Sequence, residues 1–333
     1  MRHVVAVDVG GTHFRVALFD FEGRPVSLLE GETLHSGGRD WMLRQLHERI
    51  EALRRASRTT VEACGVSFGG PVNFKDQRVT SVHTPGWKGF ELAEWVHKTL
   101  GLRCLVDNDA NCGALGEHRY GAARGAESLV YITLSTGIGG GIITHGRLHR
   151  GRDSMAGEIG HIPLAASDDL CTCGLKSGCT EALASGRALE RNVREFAALH
   201  PEKAAALLRL GAAERLSARE LIQAAREGDA DANAILQEAA QWLGRALLVV
   251  IRLLDPDKIV LGGGVAQAGD FLLNSIHAPL KAWWSPMFPY TTEIALAQLG
   301  DYSPLYGAAG LAIELAKTRP DARVARERFA ASD

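Results

Sequence analysis

One local pattern occurs twice in this sequence, and it limits the possible folds more than any other feature. Residues 4–9 are apolar and strand-like, residues 10–13 are Gly-Gly-Thr-His, and a second strand pattern covers residues 14–19. The same order returns as a strand at 129–134, a glycine-rich turn at 135–141 and strand residues at 142–144. The repetition indicates two related halves that face one another. Turns rich in glycine let backbone N–H groups approach phosphate oxygens, so the sequence predicts two phosphate-binding hairpin loops.

The rest of the chain predicts an α/β protein with two domains. A chain of 333 residues is too long for one small core. Strand and helix patterns alternate, which favours a largely parallel central sheet with a hairpin at its edge. Further strands are predicted at 25–29, 61–68, 102–106 and 258–261, and helices at 41–56, 91–100, 110–120, 185–199, 217–227, 231–254, 269–284 and 305–316.

Charge and hydropathy argue against several classes of protein. A formal net charge of -2 gives no basic surface for nucleic acid. No apolar run approaches the roughly 20 residues of a membrane-spanning helix. The N-terminus lacks the long apolar block and cleavage site of a signal peptide, so we expect a cytoplasmic protein without membrane partners. Charged residues dominate after position 318 and predict a loosely held tail.

A cluster of acids and amides follows the strand predicted at 102–106. Four of the five residues 107–111 are polar, namely Asp107, Asn108, Asp109 and Asn111, and a helix begins there. A strand that ends where a helix begins lies at the mouth of an α/β sheet, the usual place for chemistry. Asn108 or Asp109 could instead only cap the helix. One polar residue suffices for a cap, so the cluster favours a functional role, with Asp109 as the leading candidate.

Three closely spaced cysteines predict a metal site. Cys171, Cys173 and Cys179 follow His161, which makes a Cys₃His set for a tetrahedral zinc ion. Four protein ligands leave no open position for water, so the zinc would be structural. The alternative is a chance grouping of reduced thiols. Glu158 and Glu181 flank the set and could hold a polar substrate, although either could be a surface residue. The other cysteines, 64, 104 and 112, stand among apolar residues and are predicted to be small core residues.

Two more glycine turns complete the motifs. Gly69 and Gly70 follow the strand at 61–68 and would leave backbone groups exposed at the sheet edge. Gly262, Gly263 and Gly264 follow the short strand at 258–261 and could receive a base or ribose, which alone is a weak signal.

Taken together, these motifs resemble the ROK family of sugar kinases of the glucokinase type, from about residue 4 to residue 315. The resemblance rests on residues 8–12, 108–111, 135–141, 157–161, 171–181 and 261–265. It implies the actin-like ATPase (ribonuclease H-like) fold, with two α/β domains and a cleft between them. On this basis we expect an N-terminal domain of residues 1–118 completed by a helix at about 303–317, a larger domain of residues 119–302 with the zinc knuckle, and a charged tail at 318–333.

The resemblance also implies roles for individual residues. Asp109 would be the base that takes the proton from the 6-hydroxyl of a hexose, with ATP as phosphoryl donor and Mg²⁺ as its counterion. The sugar would be bound by Gly70, Asn108, Asp109, Glu158, His161 and Glu181. ATP and its magnesium would be bound by Asp8, Gly10, Gly11, Thr12, Thr136, Gly137 and Gly263. Structural zinc would be held by His161, Cys171, Cys173 and Cys179.

Glucose is the sugar that the resemblance implies, in a homodimer or homotetramer. The alternatives are mannose, fructose, N-acetylmannosamine and N-acetylglucosamine. A sugar-binding regulator of the same family is a further alternative, but such regulators carry an N-terminal helix-turn-helix, and only seven residues precede Asp8. Two departures from the family pattern are visible. Residues 175–177 form a three-residue spacer where two are usual, and His83 and Thr84 stand where an asparagine is often found.

Overall fold

The computed structural model describes residues 2–57, 59–81, 84–166, 169–283 and 285–318. His83 and the predicted charged tail beyond residue 318 lie outside these ranges. The chain divides into two compact units. Unit 1 contains residues 1–127, 141–156 and 302–333, and unit 2 contains residues 128–140 and 157–301. Both units combine β-strands with α-helices, which confirms the α/β class.

Twelve strands and ten α-helices lie in the described residues. The strands are β1 Arg2–Val9, β2 His13–Phe19, β3 Pro25–Glu32, β4 Thr60–Phe68, β5 Val72–Asn73, β6 Arg78–Val79, β7 Arg103–Asn108, β8 Leu129–Leu134, β9 Ile138–Thr144, β10 Arg147–His149, β11 Lys258–Gly262 and β12 Glu293–Leu296. The helices are α1 Gly38–Ser57, α2 Leu92–Leu100, α3 Asp109–Tyr120, α4 Thr180–Ala184, α5 Gly186–Leu199, α6 Ala205–Leu210, α7 Ala218–Arg226, α8 Ala230–Leu254, α9 Asp270–Ala282 and α10 Ser303–Lys317.

The central sheet of unit 1 has the strand order β3-β2-β1-β4-β7. β1 pairs with β4 and β4 with β7 in parallel, whereas β1-β2 and β2-β3 are antiparallel. The prediction of a largely parallel sheet was therefore wrong for half of its pairings, because the hairpin at the edge extends into a third strand. In the register, Asp8 is opposite Ser67, and Phe68 is opposite Asn108. The polar end of β7 consequently lies beside the end of β4 and close to the end of β1.

Helices cover both faces of this sheet. Alternate residues of β1 and β4, among them Val7 and Val66, are buried in one core with α1 and α2. The opposite face of β4 contacts α10 so closely that a Cβ atom on Gly65 would collide with the carbonyl oxygen of Ala308. α10 also packs on α3, where a Cβ atom on Gly307 would collide with the carbonyl of Cys112. These close approaches fix α3, and with it the polar cluster at its start.

The second sheet has the order β10-β9-β8-β11-β12. Its parallel pairs β8-β11 and β11-β12 belong to unit 2. β9 begins at Ile138, so the last three glycines of the predicted turn at 135–141 lie in a strand instead. The reason is close packing, since a Cβ atom on Gly140 would lie 2.6 Å from the carbonyl oxygen of Gly157.

α8 is the longest helix of unit 2. By length and composition alone it could cross a membrane, which corrects the expectation that no such segment exists. Half of its apolar window is nevertheless buried inside the protein. A buried face against neighbouring helices such as α9 is typical of a core helix in a globular domain.

Candidate active site

Asp109 is the first residue of α3, directly after the end of β7. Its Oδ1 accepts the N–H of Ala110 at 2.9 Å. The preceding residue, Asn108, has extended backbone, and its Oδ1 accepts the N–H groups of Ala110 and Asn111 at 2.9 and 3.4 Å. That is the geometry of a helix N-cap. The capping alternative therefore describes Asn108, and the Asp109 carboxylate is available for another role.

Asn108 also connects the end of β7 to the turn after β4. Its Nδ2 donates to the carbonyl oxygen of Gly70 at 3.1 Å. Gly70 cannot be larger, because a Cβ atom there would lie 2.6 Å from the carbonyl oxygen of Thr80. Two of the residues predicted to bind sugar thus lie together beside Asp109. With its Oδ1 used as the cap and one amide N–H donated to Gly70, Asn108 has only its second amide N–H to offer a sugar hydroxyl.

Gly69 separates the Asp109 carboxylate from the first glycine turn. Its N–H donates to the carbonyl oxygen of Val9 at 2.8 Å. A Cβ atom on Gly69 would lie 3.1 Å from that oxygen, 3.6 Å from Cα of Gly10 and 3.9 Å from Oδ2 of Asp109. The predicted base and the predicted phosphate loop are therefore near neighbours within unit 1, and a side chain at position 69 would be in tight contact with the carbonyl oxygen of Val9.

The predicted phosphate loop begins just after Asp8, which is buried. One oxygen of Asp8 accepts the hydroxyl of Ser67 at 2.8 Å, and the other lies 3.3 Å from Nη1 of Arg15. Beyond it, Gly11 and Thr12 are exposed. None of the described atoms beyond its chain neighbours comes within 4 Å of a Cβ position on Gly11. The loop therefore presents its backbone to an open space, as a phosphate site requires.

The pKa of Asp109 is raised. Burial, and after it the negative charge of Asp8, raise this pKa from 3.8 to about 7, against the effect of hydrogen bonds from Ala110 and Asn108. A carboxylate with a pKa near neutrality is substantially ionised at pH 7 and is also a strong enough base to accept a proton. The structure thus gives Asp109 the acid–base properties that general base catalysis needs.

In unit 2, the second glycine turn is held by the first turn of α5. The N–H of Gly186 donates to the carbonyl oxygen of Ser135 at 2.8 Å, and the N–H of Arg187 donates to the carbonyl oxygen of Thr136 at 3.2 Å. Thr136 itself is exposed. Gly263 lies against the strand that enters this turn, with φ of 86° and a Cβ position 2.5 Å from the carbonyl oxygen of Leu134. Two segments predicted to bind ATP, residues 135–137 and Gly263, are therefore adjacent.

Glu181 is buried at the start of α4 and connects this turn to the cysteines. Its Oε2 accepts the N–H of Ile138 at 2.9 Å, and a Cβ atom on Gly137 would collide with the same oxygen. Its Oε1 accepts the hydroxyl of Thr172, which lies between two of the predicted zinc ligands. Glu181 is thus a structural link between the second glycine turn and the segment that carries the predicted zinc ligands.

The predicted zinc ligands converge. The ligand atoms of His161, Cys171, Cys173 and Cys179 all lie within 4.8 Å of one another. Nδ1 of His161 is 3.4 Å from Sγ of Cys171, and the sulfurs of Cys173 and Cys179 are 3.9 Å apart. Zn–S bonds of about 2.3 Å in a tetrahedron place sulfurs roughly 3.8 Å apart. The donor set and its spacing therefore fit a zinc ion.

The longer spacer does not disturb this cluster. The N–H of Cys171 donates to the carbonyl oxygen of Leu175 at 2.9 Å, which closes a turn. The side chain of Leu175 is exposed to solvent. Gly178, with φ of 60°, returns the chain close to Ala165, and its carbonyl accepts the N–H of Leu164 at 2.9 Å. The extra residue is accommodated at the exposed tip of the spacer.

His161 presents its two ring nitrogens to different neighbours. Nδ1 faces Cys171, while Nε2 lies 3.8 Å from a carboxylate oxygen of Glu158. Glu158 remains half exposed. This arrangement allows one nitrogen to bind a metal while the other side of the ring, together with Glu158, meets a polar ligand.

Three residues that support the site were not recognised in the sequence. Ser67 and Arg15 hold Asp8 from the neighbouring strands, and Arg150 forms an ion pair with Asp107. Ser67 and Arg150 are remote in the sequence from their partners, whereas Arg15 is opposite Asp8 on the facing strand of the first hairpin. Only the strand register, once known, could have identified Ser67 and Arg15 as the neighbours of Asp8.

Comparison with known proteins gives consistent matches over most of the chain. Residues 4–315 match the model of the ROK family. A glucokinase of Streptomyces coelicolor is 34% identical over 317 residues, which cover 93% of this chain and 97% of that protein. The solved structure of a ROK family glucokinase from Streptomyces griseus, in complex with glucose and AMPPNP, is similar with a TM-score of 0.82 and 35% identity, covering 94% of this chain and 99% of that one. A xylose repressor of Caldicellulosiruptor bescii is 25% identical over 313 residues. These residues cover 93% of this chain and 78% of the repressor.

Proposed function

Because this chain belongs to the ROK family, whose actin-like ATPase fold and ATP-dependent sugar kinase activity it shares, we propose that it is a glucokinase that phosphorylates the 6-hydroxyl of glucose. The observation that carries the proposal is the position of Asp109, beside the loop at Gly10 and with a pKa of about 7. Identity of 34–35% to glucokinases over more than nine-tenths of the chain supports glucose over other sugars.

In the proposed reaction Asp109 is the general base. Its carboxylate accepts the proton of the sugar hydroxyl as the oxygen attacks the γ-phosphorus of ATP, and ADP leaves with the electrons of the broken P–O bond. Positioning and charge neutralisation supply most of the acceleration in such phosphoryl transfers. The base adds about a hundred- to ten-thousand-fold.

The two glycine turns would bind the phosphates. We assign this role to Gly10, Gly11 and Thr12 in unit 1 and to Thr136 and Gly137 in unit 2, with Gly263 near the adenosine. Mg²⁺ would neutralise phosphate charge during transfer. Asp8 fits such an ion only indirectly, because Ser67 and Arg15 already contact its two oxygens. We therefore infer that Asp8 acts through a bound water or by its charge.

Sugar hydroxyls would be bound by Gly70, Asn108, Glu158, His161 and Glu181. Glu158 and the outward side of His161 supply an acceptor and a ring nitrogen in unit 2, where Glu158 is exposed enough to meet a ligand. Glu181 already accepts the N–H of Ile138 and the hydroxyl of Thr172. Its contribution to the sugar would thus be smaller than that of Glu158.

Zinc would be structural, held by His161, Cys171, Cys173 and Cys179. Burial raises the pKa of the Cys171 thiol to about 12, so a cation is needed to keep this sulfur ionised. The ion would brace the segment that carries His161 and Glu181. None of the six cysteines forms a disulfide, which fits the proposed cytoplasmic location. We further propose a homodimer or homotetramer.

A coupled ADP-release assay across glucose, mannose, fructose, N-acetylmannosamine and N-acetylglucosamine tests the proposal. We expect the highest kcat/KM for glucose, with the product phosphorylated at the 6-hydroxyl. A clear preference for another sugar would leave the assignment as a sugar kinase intact but would refute the assignment as a glucokinase. Binding of a sugar without any ADP release would instead favour a regulator of the same family, as the repressor similarity allows.

A further inference from the structure

A buried ion pair lies two residues before the proposed base. Nε and Nη2 of Arg150 are each 2.8 Å from Oδ2 of Asp107. Only 1% of the Asp107 side chain and 10% of the Arg150 side chain are exposed. The other oxygen of Asp107 accepts the N–H of Asn108 at 2.8 Å and Nδ2 of Asn111 at 2.9 Å. One carboxylate therefore binds the strand end, the first helical turn and the guanidinium together.

Arg150 is held from its other side as well. Its guanidinium lies over the ring of Phe74, 3.6 Å from the centroid. The N–H of Phe74 donates to the hydroxyl of Ser154 at 3.1 Å, and the N–H of Ala156 donates to the carbonyl of Arg150 at 3.0 Å. The segment that carries Arg150 is thus closed on itself and attached to the turn at Phe74, so the guanidinium has little freedom to follow a displaced Asp107.

Stability alone is a weak reason for this arrangement. Removing two charges from water is costly, and replacing a buried ion pair by apolar residues of similar volume is often neutral or stabilising. The position of the pair suggests another reason. Asp107 binds the backbone of Asn108, and Asn108 both caps α3 and binds Gly70. Any movement of Asp107 would therefore be transmitted to the residue next to Asp109.

We propose that Asp107 and Arg150 are a positioning pair that fixes the direction of the Asp109 carboxylate. This inference rests on the proposed function, since it requires Asp109 to be the base. Arg150 itself touches no reacting atom. Its task is to hold the Asp107 carboxylate in the orientation that binds Asn108 and Asn111, and to compensate a charge that would otherwise stand unpaired two residues from the base.

The test is a kinetic cycle that combines Arg150→Gln with Asp109→Asn. In the otherwise unchanged enzyme, Arg150→Gln is expected to lower kcat by about 10- to 100-fold, the cost of a small misplacement of a catalytic group, with KM for glucose changed by less than about threefold. In the Asp109→Asn enzyme, the same change is expected to lower the residual rate by less than about twofold, because the group that it positions is already gone.

Two variants serve as controls. Arg152→Gln removes an arginine two positions away whose side chain is 91% exposed, and it should leave kcat unchanged. The double variant Asp107→Asn, Arg150→Gln removes both charges but keeps an amide oxygen for the N–H of Asn108. It should recover kcat to within about fivefold of the unchanged enzyme, since no unpaired charge remains. If Arg150→Gln alone does not fold, this double variant and Arg150→Lys carry the comparison.

Several results would overturn the inference. One is an unchanged kcat in Arg150→Gln. Another is that Arg150→Gln lowers kcat by the same factor in the enzyme with Asp109 and in the Asp109→Asn enzyme, which would mean that Arg150 has a general structural role. If a rise in KM for glucose accounts for the whole loss of kcat/KM in Arg150→Gln, Arg150 would have a role in binding. Full turnover by Asp109→Asn alone would refute the proposed base and this inference together, whereas the other results leave the proposed function intact.

Discussion

Replacing Asp109 by Asn should make the protein more stable at neutral and alkaline pH while removing its activity. The pKa of this carboxyl group is raised from 3.8 to about 7 by burial and by Asp8. The folded state therefore holds the proton more tightly than the unfolded state does. Between about pH 4 and pH 7 the unfolded chain has lost this proton and the folded one has not, so the contribution of Asp109 to stability falls as the pH rises. Above pH 7 both states have lost the proton, and the folded state bears the full free-energy cost of holding the ionised carboxylate.

The size of the effect follows from the shift. One pKa unit corresponds to about 1.36 kcal/mol, so the shift sets an upper limit of about 4 kcal/mol. Asp109 is only partly buried, so screening by solvent lowers this figure. We expect about 1–2 kcal/mol, or a rise in Tm of several degrees for Asp109→Asn at pH 8.

Thermal unfolding of both proteins at pH 4.5 and pH 8 provides the assay. The difference in Tm should be several degrees at pH 8 and should shrink toward zero at the lower pH. Asp107→Asn is the matched control. It breaks the ion pair with Arg150 and should lower the free energy of unfolding by about 3–5 kcal/mol. A Tm advantage of Asp109→Asn that does not depend on pH, or no advantage at pH 8, would refute the reasoning.

Three further predictions concern the rate, the glycine between base and loop, and the metal. The value of kcat/KM for glucose should rise with pH to a plateau, with an apparent pKa near 7 that reports ionisation of Asp109; a profile flat from pH 5.5 to pH 8 would contradict this. Gly69→Ala places a methyl group 3.1 Å from the carbonyl oxygen of Val9 and should lower kcat by about tenfold or more by separating the loop from Asp109; full activity would show that the spacing is not critical. Metal analysis should find one zinc per chain, lost together with folded protein in Cys173→Ala; metal-free protein with an unchanged Tm would remove the structural role of the cluster.

Features that are local in the sequence could be predicted, and those that depend on remote partners could not. The acids and amides at 107–111 and the cysteines at 171–179 are each a short run of reactive residue types, so their grouping was visible before the fold was known. The role of Asp107 was not visible, because Arg150 is 43 positions away and reaches it only through the packing of unit 1. Ser67 meets Asp8 through a parallel strand pairing with a separation of 59 positions.

The fold shows the same division. The long helices and apolar strands were predicted close to their observed bounds because hydrophobic periodicity decides them. The short strands β10 and β12 were missed, since three or four residues at the sheet edges carry no periodic signal. The glycines after residue 138 were assigned to a turn on composition, whereas the small size of Gly140 is needed for the close approach of Gly157 to β9.

The central claim is that Asp109 is the base of an ATP-dependent glucose kinase, and one comparison tests it most directly. Glucose-dependent ADP formation and glucose binding by calorimetry would be measured on the unchanged protein and on Asp109→Asn. We predict a loss of kcat of at least about a hundredfold, with the Kd for glucose altered by less than about tenfold. Turnover that survives the substitution, or loss of glucose binding that accounts for all of the lost activity, would contradict the account.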